Sequence, residues 1–416
     1  MKIASVVGAR PQFVKLAPLV QGVEEHNRAS GAEKIEHVII HTGQHYDYRM
    51  NKVFFDELGI PEPRYNLNVG SGAHGRQTGE MMKLIESVLL REQPAWTLVY
   101  GDTNSTLAGA IAAVKLGRPL AHIEAGLRSY HRAMPEEINR VLTDHCADLL
   151  FCPTRTAVRN LGKEGLTRTL NDGNLISRLS LGHSAKTSSF PLVVNVGDIM
   201  IDALVLAGAV AETKSRILKK MGLKPKSYYL ATLHRAENTD QPGILQSLMA
   251  TFAEIHTREK PLVLCLHPRT RDALRKFRLF SKVARSLVLI DPPPSYFDML
   301  TLEKGAAKIL TDSGGIQKEA FFFNVPCITL RNETEWVETA RRGRNIIAGT
   351  NRGRILEAVK KKPAGKATSP EMPYGNGTAR TLILNVLSMF RPTAAGAPGF
   401  TRGSTSAAKA RPLTPL

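Results

Sequence analysis

The amino-acid sequence predicts an α/β protein built from two Rossmann-like, doubly wound domains, each with its own parallel sheet. Short apolar or β-branched runs alternate with helix-compatible segments along most of the chain. A length of 416 residues accommodates two domains of ordinary size. The alternation is interrupted once, at residues 166–189, which are rich in Ser, Thr, Leu and Gly. Two domains joined in this way imply a cleft in which a ligand can bind.

The first predicted domain spans residues 1–165. Its predicted strands are IASVVG, EHVIIHTG, WTLVYG, PLAHIEAG and DLLFCPT. Helices are predicted from Pro11, around residues 48–58, from Thr103 to Leu116 and after Pro135. Because strand and helix follow one another each time, the strands of this domain are expected to be parallel.

The second predicted domain spans residues 190–375 and follows residues 166–189, which we interpret as an insertion or linker. Its predicted strands are PLVVNVG, YYLATLH, PLVLCLHP, SLVLID, AAKILTDSGG, VPCITL and NIIAG. Residues 376–390 are predicted to form a last helix. Residues 391–416, mostly Ala, Pro, Thr, Gly and Arg, are predicted to be a disordered basic tail.

Composition and charge narrow the classes of function. Hydrophobic residues make up 43% of the chain and charged residues 22%, which is typical of a globular protein. Of the net charge of +19, +12 falls in residues 341–416, and no RNP, zinc-finger or helix-turn-helix pattern accompanies it, so nucleic-acid binding is disfavoured. No apolar run is long enough for a membrane span, and Arg10 comes too early for a signal peptide. We therefore expect a cytoplasmic protein without membrane contact.

Polar residues at the predicted strand ends are the candidate site, because ligands of open parallel sheets bind beyond the carboxyl ends of the strands. Gly8-Ala9-Arg10-Pro11 combines a turn, a cation and a helix start, where free N–H groups favour an anion, and Ser313-Gly314-Gly315 repeats this in the second domain. With Lys15, His234 and Arg235 nearby, the pattern predicts a diphosphate held across the cleft. A simple N-cap at Ser313 is the alternative.

Several carboxylates lie in the first domain, and crowded carboxylates can serve as acid and base. They are Asp102, Glu124, Glu136 and Glu137. Asp102 could instead cap a helix, and Glu136 or Glu137 could favour a helix N-terminus. The chain has neither GxGxxG after its first strand nor a P-loop, so neither a nicotinamide cofactor nor ATP is indicated. No HExxH, CxxC or DxD pattern supports a metal.

Many ordered motifs resemble the non-hydrolysing UDP-N-acetylglucosamine 2-epimerases, from about residue 2 to residue 390. They are GARPQFVKLAPL, GDTNSTLAGAIAA, HIEAGLRS, MPEEINR, NVGDIMIDAL, HRAEN, HPRT, LTDSGGIQKEA and RNETEWVE. The resemblance implies a glycosyltransferase-B fold, a homodimer, no external redox cofactor and interconversion of UDP-GlcNAc and UDP-ManNAc. The implied route eliminates UDP to give 2-acetamidoglucal and then adds UDP back.

The resemblance also implies roles for individual residues. Asp102, Glu124 and Glu136 match the acid/base carboxylates, and Lys15 matches a lysine implicated in activity. The residues that match or flank the diphosphate contacts are Arg10, His234, Arg235, Ser313, Gly314 and Gly315. Glu319 matches a glutamate that holds the ribose hydroxyls. Gln44, His45 and Arg76 partly match a site at which some relatives bind a second UDP-GlcNAc as an activator.

One departure bears on the substrate. Many members of the family read Thr-Glu-Arg-Pro-Glu where this chain has TEWVE, so Trp336 replaces a pocket arginine. The TEWVE form resembles a subgroup that includes epimerases of UDP-2,3-diacetamido-glucuronate. The alternatives are therefore a 2-epimerase of such a sugar, a glycosyltransferase of the same fold, a hydrolysing epimerase, and a sugar-nucleotide or polyanion binding protein.

Overall fold

The protein divides into two compact units, each built on one sheet of parallel strands. The computed structural model describes residues 1–29, 31, 33–43, 55, 58–176, 191–341, 343–362 and 373–390. Unit 1 comprises Met1–Ala203 and the C-terminal residues from 373 to 390, and unit 2 comprises Leu204–Glu371. The predicted α/β class with two parallel sheets is confirmed.

The sheet of unit 1 has seven strands in the order β3-β2-β1-β4-β5-β6-β7, all parallel. They are β1 (Lys2–Val7), β2 (Glu36–His41), β3 (Tyr65–Asn66), β4 (Trp96–Tyr100), β5 (Leu120–Ile123), β6 (Leu149–Cys152) and β7 (Leu192–Asn195). Strands β4, β5 and β6 are buried along their whole length. Continuous apolar strands are what a parallel sheet covered by helices on both faces requires.

Several helices of unit 1 begin where the sequence places proline or a capping hydroxyl. The described α-helices are Arg10–Arg28, His74–Glu92, Asn104–Lys115, Pro135–Cys146, Arg155–Lys163, Ile199–Lys214, which runs on into unit 2, and Ala379–Met389. Proline occupies the first turn of the first and fourth of these, and Thr103 caps the third through a hydrogen bond from the Thr106 amide. The last helix packs on Arg10–Arg28, and Asp202 accepts hydrogen bonds from the amides of Ala379 and Arg380.

The sheet of unit 2 has six parallel strands in the order β10-β9-β8-β11-β12-β13. They are β8 (Tyr229–Leu233), β9 (Leu262–Leu266), β10 (Val288–Ile290), β11 (Lys308–Thr311), β12 (Cys327–Thr329) and β13 (Asn345–Ile347). The described α-helices, from the first that lies wholly in unit 2, are Ile217–Lys220, Ala236–Thr239, Pro242–Ile255, Pro268–Lys276, Phe280–Ser286, Tyr296–Gly305, Gly314–Phe322, Val337–Arg341 and Arg352–Lys360. Successive residues of β9 enter two separate cores, Leu264 in one and Val263 in the other, so both faces of this sheet are covered.

Both sheets contain the strand order of the dinucleotide-binding fold, in which the order reverses between two neighbouring central strands. The reversal lies between β1 and β4 in unit 1 and between β8 and β11 in unit 2. The loops that follow these four strands begin at Gly8, Gly101, His234 and Asp312. The fold therefore brings the candidate residues of each unit to the position at which such sheets bind ligands.

The structure corrects the predicted division of the chain. Strand β7 was predicted to open the second domain at residue 190, but it pairs with β6 in the first sheet, and unit 2 begins at Leu204. An apolar strand at the edge of the first sheet and an apolar strand that opens the second sheet have the same kind of sequence pattern, so the pattern alone does not tell them apart. Residues 166–176 of the predicted insertion lie against the edge of unit 1, where Thr169 bridges to Val193. The remaining insertion residues and the tail lie outside the described part.

Two elements of unit 1 have no counterpart among the predicted ones. The two-residue strand β3 and the helix His74–Glu92 were not predicted, and the helix predicted at 48–58 lies largely outside the described residues. Within the described part of the chain, no helix is both long and apolar enough to cross a membrane.

Candidate active site

The turn after β1 differs from its prediction in one respect. The amides of Gly8 and Ala9 donate to the side-chain oxygen of Gln12, at 2.8 and 3.1 Å, so they are not free to bind an anion. The amide nitrogen of Gln12 in turn donates to the carbonyl of Tyr100, at the end of β4. Gln12 therefore joins the ends of β1 and β4, and Arg10 is exposed at the start of its helix.

Lys15 and Glu124 form a buried ion pair beside the turn after β4. The Lys15 ammonium donates to Oε2 of Glu124, and both side chains are less than a tenth exposed. A Cβ atom at Gly101 would lie 2.9 Å from Lys15 Nζ and 3.1 Å from Glu124 Oε2, so a side chain there would displace the ion pair. Gly101 has φ of 63° and Glu124 has φ of 75°, and a left-handed glutamate is strained backbone of the kind found at functional sites.

Asp102 lies directly after Gly101 and is one third exposed. Its carboxylate accepts a hydrogen bond from Arg140 of the helix Pro135–Cys146, and its carbonyl accepts one from Asn139 at 2.9 Å. Asp102 is not the capping residue of the next helix, because Thr103 performs that role. The cap interpretation of Asp102 is therefore wrong, and its carboxylate faces an arginine instead.

Glu136 and Glu137 differ in their surroundings. Glu137 is buried, accepts hydrogen bonds from the amides of Ser129 and Tyr130 at 2.9 Å each, and pairs with Arg140. Burial raises the pKa of Glu137, but these donors outweigh it and leave the pKa below its usual value. Glu136 is half-buried and has no hydrogen bond or ion pair with the part of the chain that is described. Glu137 thus fixes the loop that contains Ser129 and Tyr130, whereas the Glu136 carboxylate is not bonded to any described residue.

In unit 2, the buried carboxylate of Asp312 organises the turn after β8. It accepts hydrogen bonds from the amides of His234 and Arg235 and from the side chain of Asn238, at 2.9 to 3.1 Å. The His234 ring lies 3.3 Å from the same carboxylate. Burial lowers the pKa of His234; Asp312 raises it, but nearby arginines lower it again, so His234 titrates below an ordinary histidine. Asp312 was not singled out from the sequence, although it directly precedes Ser313.

Ser313 is the N-cap of the helix Gly314–Phe322, as its alternative interpretation proposed, with its hydroxyl 3.5 Å from the Ile316 amide. Gly314 is buried, and a Cβ there would lie 2.6 Å from Glu335 Oε1 and 3.1 Å from Trp336 Nε1. At Gly315 a Cβ would meet only the Ser313 hydroxyl, at 3.8 Å. The TEWVE segment therefore packs directly on the first residue of this helix.

Charged groups surround that helix start. Arg331 donates to Glu335 at 2.9 Å, and the Lys318 ammonium lies 3.8 Å from the centre of the Trp336 ring. Burial raises the pKa of Glu335, but Arg331 and Arg235 hold it below its usual value. The Nε atom of Arg235 is buried and has no hydrogen-bond partner among the described residues. An arginine with an orphaned buried N–H beside a helix N-terminus is suited to an anionic ligand.

Glu319, on the same helix, is buried against Glu303. Burial raises the pKa of Glu303 well above its usual range, and the adjacent Glu319 raises it further. Of the predicted activator residues, Gln44 and His45 lie outside the described residues, and Arg76 is exposed on unit 1. In the described part, no three His, Cys, Asp or Glu side chains are grouped to hold a metal.

Comparison with known proteins identifies the family. The family model described as UDP-N-acetylglucosamine 2-epimerase matches residues 27–388. A Methanococcus maripaludis protein described as a UDP-N-acetylglucosamine 2-epimerase homolog is 50% identical over 391 residues, covering 93% of this chain and 99% of its own. The chain belongs to the UDP-N-acetylglucosamine 2-epimerase family. It is therefore an epimerase.

Two other relatives of the family are informative about fold and substrate. The crystal structure of Methanocaldococcus jannaschii UDP-GlcNAc 2-epimerase, in complex with UDP-GlcNAc and UDP, matches with a TM-score of 0.78 and 40% identity, over 93% of this chain and 99% of that one. This confirms the glycosyltransferase-B-like fold. UDP-2,3-diacetamido-2,3-dideoxy-D-glucuronate 2-epimerase of Pseudomonas aeruginosa is 43% identical over 388 residues, 93% of this chain and 99% of its own.

Proposed function

We propose that this epimerase interconverts UDP-GlcNAc and UDP-ManNAc by eliminating UDP to 2-acetamidoglucal and adding it back. The observation that carries the proposal is the turn after β4, where Asp102 follows Gly101 and the Lys15–Glu124 pair packs against that glycine. Two carboxylates paired with different cations, one buried and one partly exposed, suit a reaction that needs both a base and an acid.

The chemistry explains why such a pair is needed. The hydrogen at C2 of the sugar is not next to a ketone, so it is not removed to an ordinary enolate. A base takes that proton, the electron pair of the C–H bond forms the C1–C2 double bond, and the bond from C1 to the diphosphate oxygen breaks. A proton then returns to the opposite face of C2 while UDP adds again to C1. Asp102, Glu124 and Glu136 are the proposed acid and base groups, and Lys15 holds the Glu124 carboxylate in place.

In unit 2, the proposed ligand is the uridine diphosphate. His234, Arg235 and the helix start at Ser313-Gly314-Gly315 supply hydrogen-bond donors and positive charge for the diphosphate. Arg235 is the best supported of these, because its buried Nε has no described partner and burial leaves that donor unsatisfied. Glu319 is proposed to accept hydrogen bonds from the ribose hydroxyls. A firmly held diphosphate is the leaving group that the elimination requires.

A second candidate substrate is a UDP-2,3-diacetamido-glucuronate sugar. Trp336 occupies the position at which many family members have an arginine, and the 43% identical Pseudomonas aeruginosa relative is named for such a sugar. The Trp336 side chain packs against Gly314 and beneath Lys318, so it lies next to the proposed diphosphate site.

The proposal includes a homodimer. Unit 1 exposes large apolar side chains on three helices that pack side by side, namely Leu90, Val114, Ile138 and Leu142, each at least 40% exposed. These side chains give the helices apolar surface that a symmetric contact between two copies could bury. Sedimentation of the purified protein measures the oligomeric state. Cytoplasmic location and activation through Gln44, His45 and Arg76 stay predictions from the sequence.

The decisive experiment is proton NMR of the purified protein with UDP-GlcNAc in deuterated water, following deuterium at C2, UDP-ManNAc and free UDP. Deuterium at C2 in a mixture of both sugars is the expected result. Stoichiometric UDP with free ManNAc would identify a hydrolysing enzyme instead. The same measurement is then made with the UDP-2,3-diacetamido-glucuronate sugar. Exchange with that sugar alone would select the second candidate, and no exchange with either sugar would overturn the proposed epimerisation of both.

Variants test the roles of the residues. Asp102→Asn is expected to lose at least ~10²-fold in turnover while UDP binding, measured by calorimetry, is retained, because loss of general acid–base catalysis has about this size. Glu36→Gln is the matched control, since Glu36 also pairs with an arginine, Arg64, but lies exposed at the start of β2. Normal turnover in Asp102→Asn would exclude Asp102 from the chemistry.

A further inference from the structure

His122 of strand β5, which ends just before Glu124, is completely buried, and both of its ring nitrogens make hydrogen bonds. His122 Nε2 lies 2.7 Å from the carbonyl oxygen of Gly101, and Nδ1 lies 2.7 Å from Oδ1 of Asp144. Neither His122 nor Asp144 has any exposed side-chain surface. The ring therefore joins the turn after β4 to the helix Pro135–Cys146, and each nitrogen has only one neighbour to satisfy it.

The chemistry of these two neighbours determines where the protons lie. A carbonyl oxygen only accepts, so Nε2 must carry a hydrogen. Asp144 is also an acceptor on its other oxygen, which receives hydrogen bonds from the Gly126 amide at 3.1 Å and from Arg128 at 2.7 Å. These donors favour the ionised form of the Asp144 carboxylate over the protonated form. The proton shared by Nδ1 and Asp144 therefore belongs on the histidine.

The charges of this buried group then balance. Arg128 also donates two hydrogen bonds to Glu164, at 2.6 and 2.7 Å. With His122 protonated, His122 and Arg128 face Asp144 and Glu164, whereas a neutral His122 would leave these four groups with one excess negative charge. Glu164 is 25% exposed, and its other neighbour, the exposed His145, lies 3.1 Å away. Paired and hydrogen-bonded charges are the form in which buried ionic groups are tolerated.

We propose that His122 is a protonated imidazolium and a positioning residue, which holds the Gly101 carbonyl and so fixes the turn that carries Asp102. The amide of Gly101 donates to the Ile123 carbonyl at 3.0 Å, and Gly101 packs against the Lys15–Glu124 pair. With these contacts made, the orientation of the Gly101 carbonyl is what His122 has left to fix. Rotation of the peptide that joins Gly101 to Asp102 would move Asp102 relative to Glu124. The effect on turnover rests on the function proposed above, but the protonation state and the geometry do not.

The matched variants are His122→Gln and His122→Asn. The Gln amide nitrogen can take the position of Nε2 and donate to Gly101, whereas the shorter Asn side chain can reach only the position of Nδ1, near Asp144. Both are neutral and each keeps one of the two hydrogen bonds. We expect His122→Gln to stay within ~10-fold of the wild-type kcat and His122→Asn to lose ~10²-fold at similar KM, since small misplacement of a reacting group costs this much. Equal kcat values at equal thermal stability would overturn the positioning role.

Two measurements need no substrate and distinguish failure of this proposal from failure of the proposed function. Nitrogen-15 NMR of histidine-labelled protein at about pH 7.5, where an ordinary histidine is neutral, should show hydrogens on both His122 ring nitrogens. One unprotonated nitrogen would overturn the imidazolium. The carbonyl carbon shift of Gly101 should be retained in His122→Gln and changed in His122→Asn, and the opposite pattern would overturn the positioning role even if neither UDP-sugar is a substrate.

Asp144→Asn provides a variant that preserves packing. An asparagine can still accept from Gly126 and Arg128 through its oxygen while its amide donates to Nδ1, so every hydrogen bond is kept and His122 becomes neutral with its hydrogen on Nε2. The expected result is loss of one ring hydrogen in the nitrogen-15 spectrum, an unchanged Gly101 carbonyl shift and kcat within ~10-fold of wild type. A His122 that stays doubly protonated in Asp144→Asn would show that Asp144 is not its counterion.

Discussion

Gly314→Ala tests whether the first residue of the helix Gly314–Phe322 must be glycine. The added Cβ would lie 2.6 Å from Oε1 of Glu335, closer than side chains approach, and 3.1 Å from Trp336 Nε1. Neither neighbour moves freely: the Glu335 side chain is 14% exposed and bonded to Arg331, and the Trp336 ring is rigid and buried. Overpacking of this kind costs about 1–3 kcal/mol.

Gly315→Ala is the matched control. Both glycines are in the first turn of the same helix with ordinary φ, so replacing either restricts the unfolded chain and favours the helix by up to about 1 kcal/mol. At Gly315 the new Cβ meets only the Ser313 hydroxyl, at an ordinary contact distance of 3.8 Å. The helix terms cancel in the comparison, and the expected difference in stability between the two variants is about 2 kcal/mol.

The difference is measurable by heating. For a unit of this size, 1 kcal/mol changes Tm by roughly 2–4 °C, so Gly314→Ala should unfold roughly 4–8 °C below Gly315→Ala in unit 2. Differential scanning calorimetry and urea unfolding are the assays. Adding Glu335→Ala to Gly314→Ala removes the closest overlapping atom and should recover part of the loss. Equal Tm values for the two glycine variants would refute the packing of the TEWVE segment on this helix.

Two further predictions concern pH. Burial lowers the pKa of His37 to about 4, and its Nε2 lies 2.7 Å from the Ser5 hydroxyl. The folded protein therefore binds this proton less readily than the unfolded chain, and its free energy of unfolding should fall by about 1–2 kcal/mol between pH 7 and pH 5. Urea unfolding should show this loss in wild type and a smaller one in His37→Gln. Burial raises the pKa of Glu303 well above its usual value, so the free energy of unfolding should instead fall as pH rises above about 4.5, by at most about 1.4 kcal/mol per pH unit. Glu303→Gln should remove this pH dependence and stabilise unit 2 at neutral pH. An unchanged pH dependence in Glu303→Gln would contradict an ionisable buried Glu303.

The sequence predicts the sheets well because their strands are continuous apolar runs bounded by polar turns. It does not predict β3, since two residues, Tyr65 and Asn66, are too few to show a period. It also assigns β7 to the wrong sheet, because apolar strands of neighbouring domains have the same composition and only pairing with β6 reveals their place. Strand identity is thus a local property, whereas sheet membership is not.

The candidate site follows the same rule. Motif and strand-end position place Asp102, Glu124 and Ser313 at the ends of central strands, as expected for parallel sheets. What sequence reasoning misses are the partners that lie far along the chain, such as Arg140 for Asp102, and Gln12, whose side chain occupies the amides at the turn after β1. A helix start predicts available N–H groups, but a glutamine one turn later satisfies them, and only the folded geometry shows it.

In both units a buried carboxylate holds the donors of a turn in place. Each contains a completely buried aspartate that collects several hydrogen-bond donors close to a candidate site, Asp144 in unit 1 and Asp312 in unit 2. An ionised carboxylate in such a position is stable only while these donors remain. The donors are thereby fixed too, and in unit 2 they are the backbone amides of His234 and Arg235 themselves. Substituting Asp312 should therefore impair both residues together, and its effect should not add to that of His234 or Arg235 substitutions, because all three act through one turn.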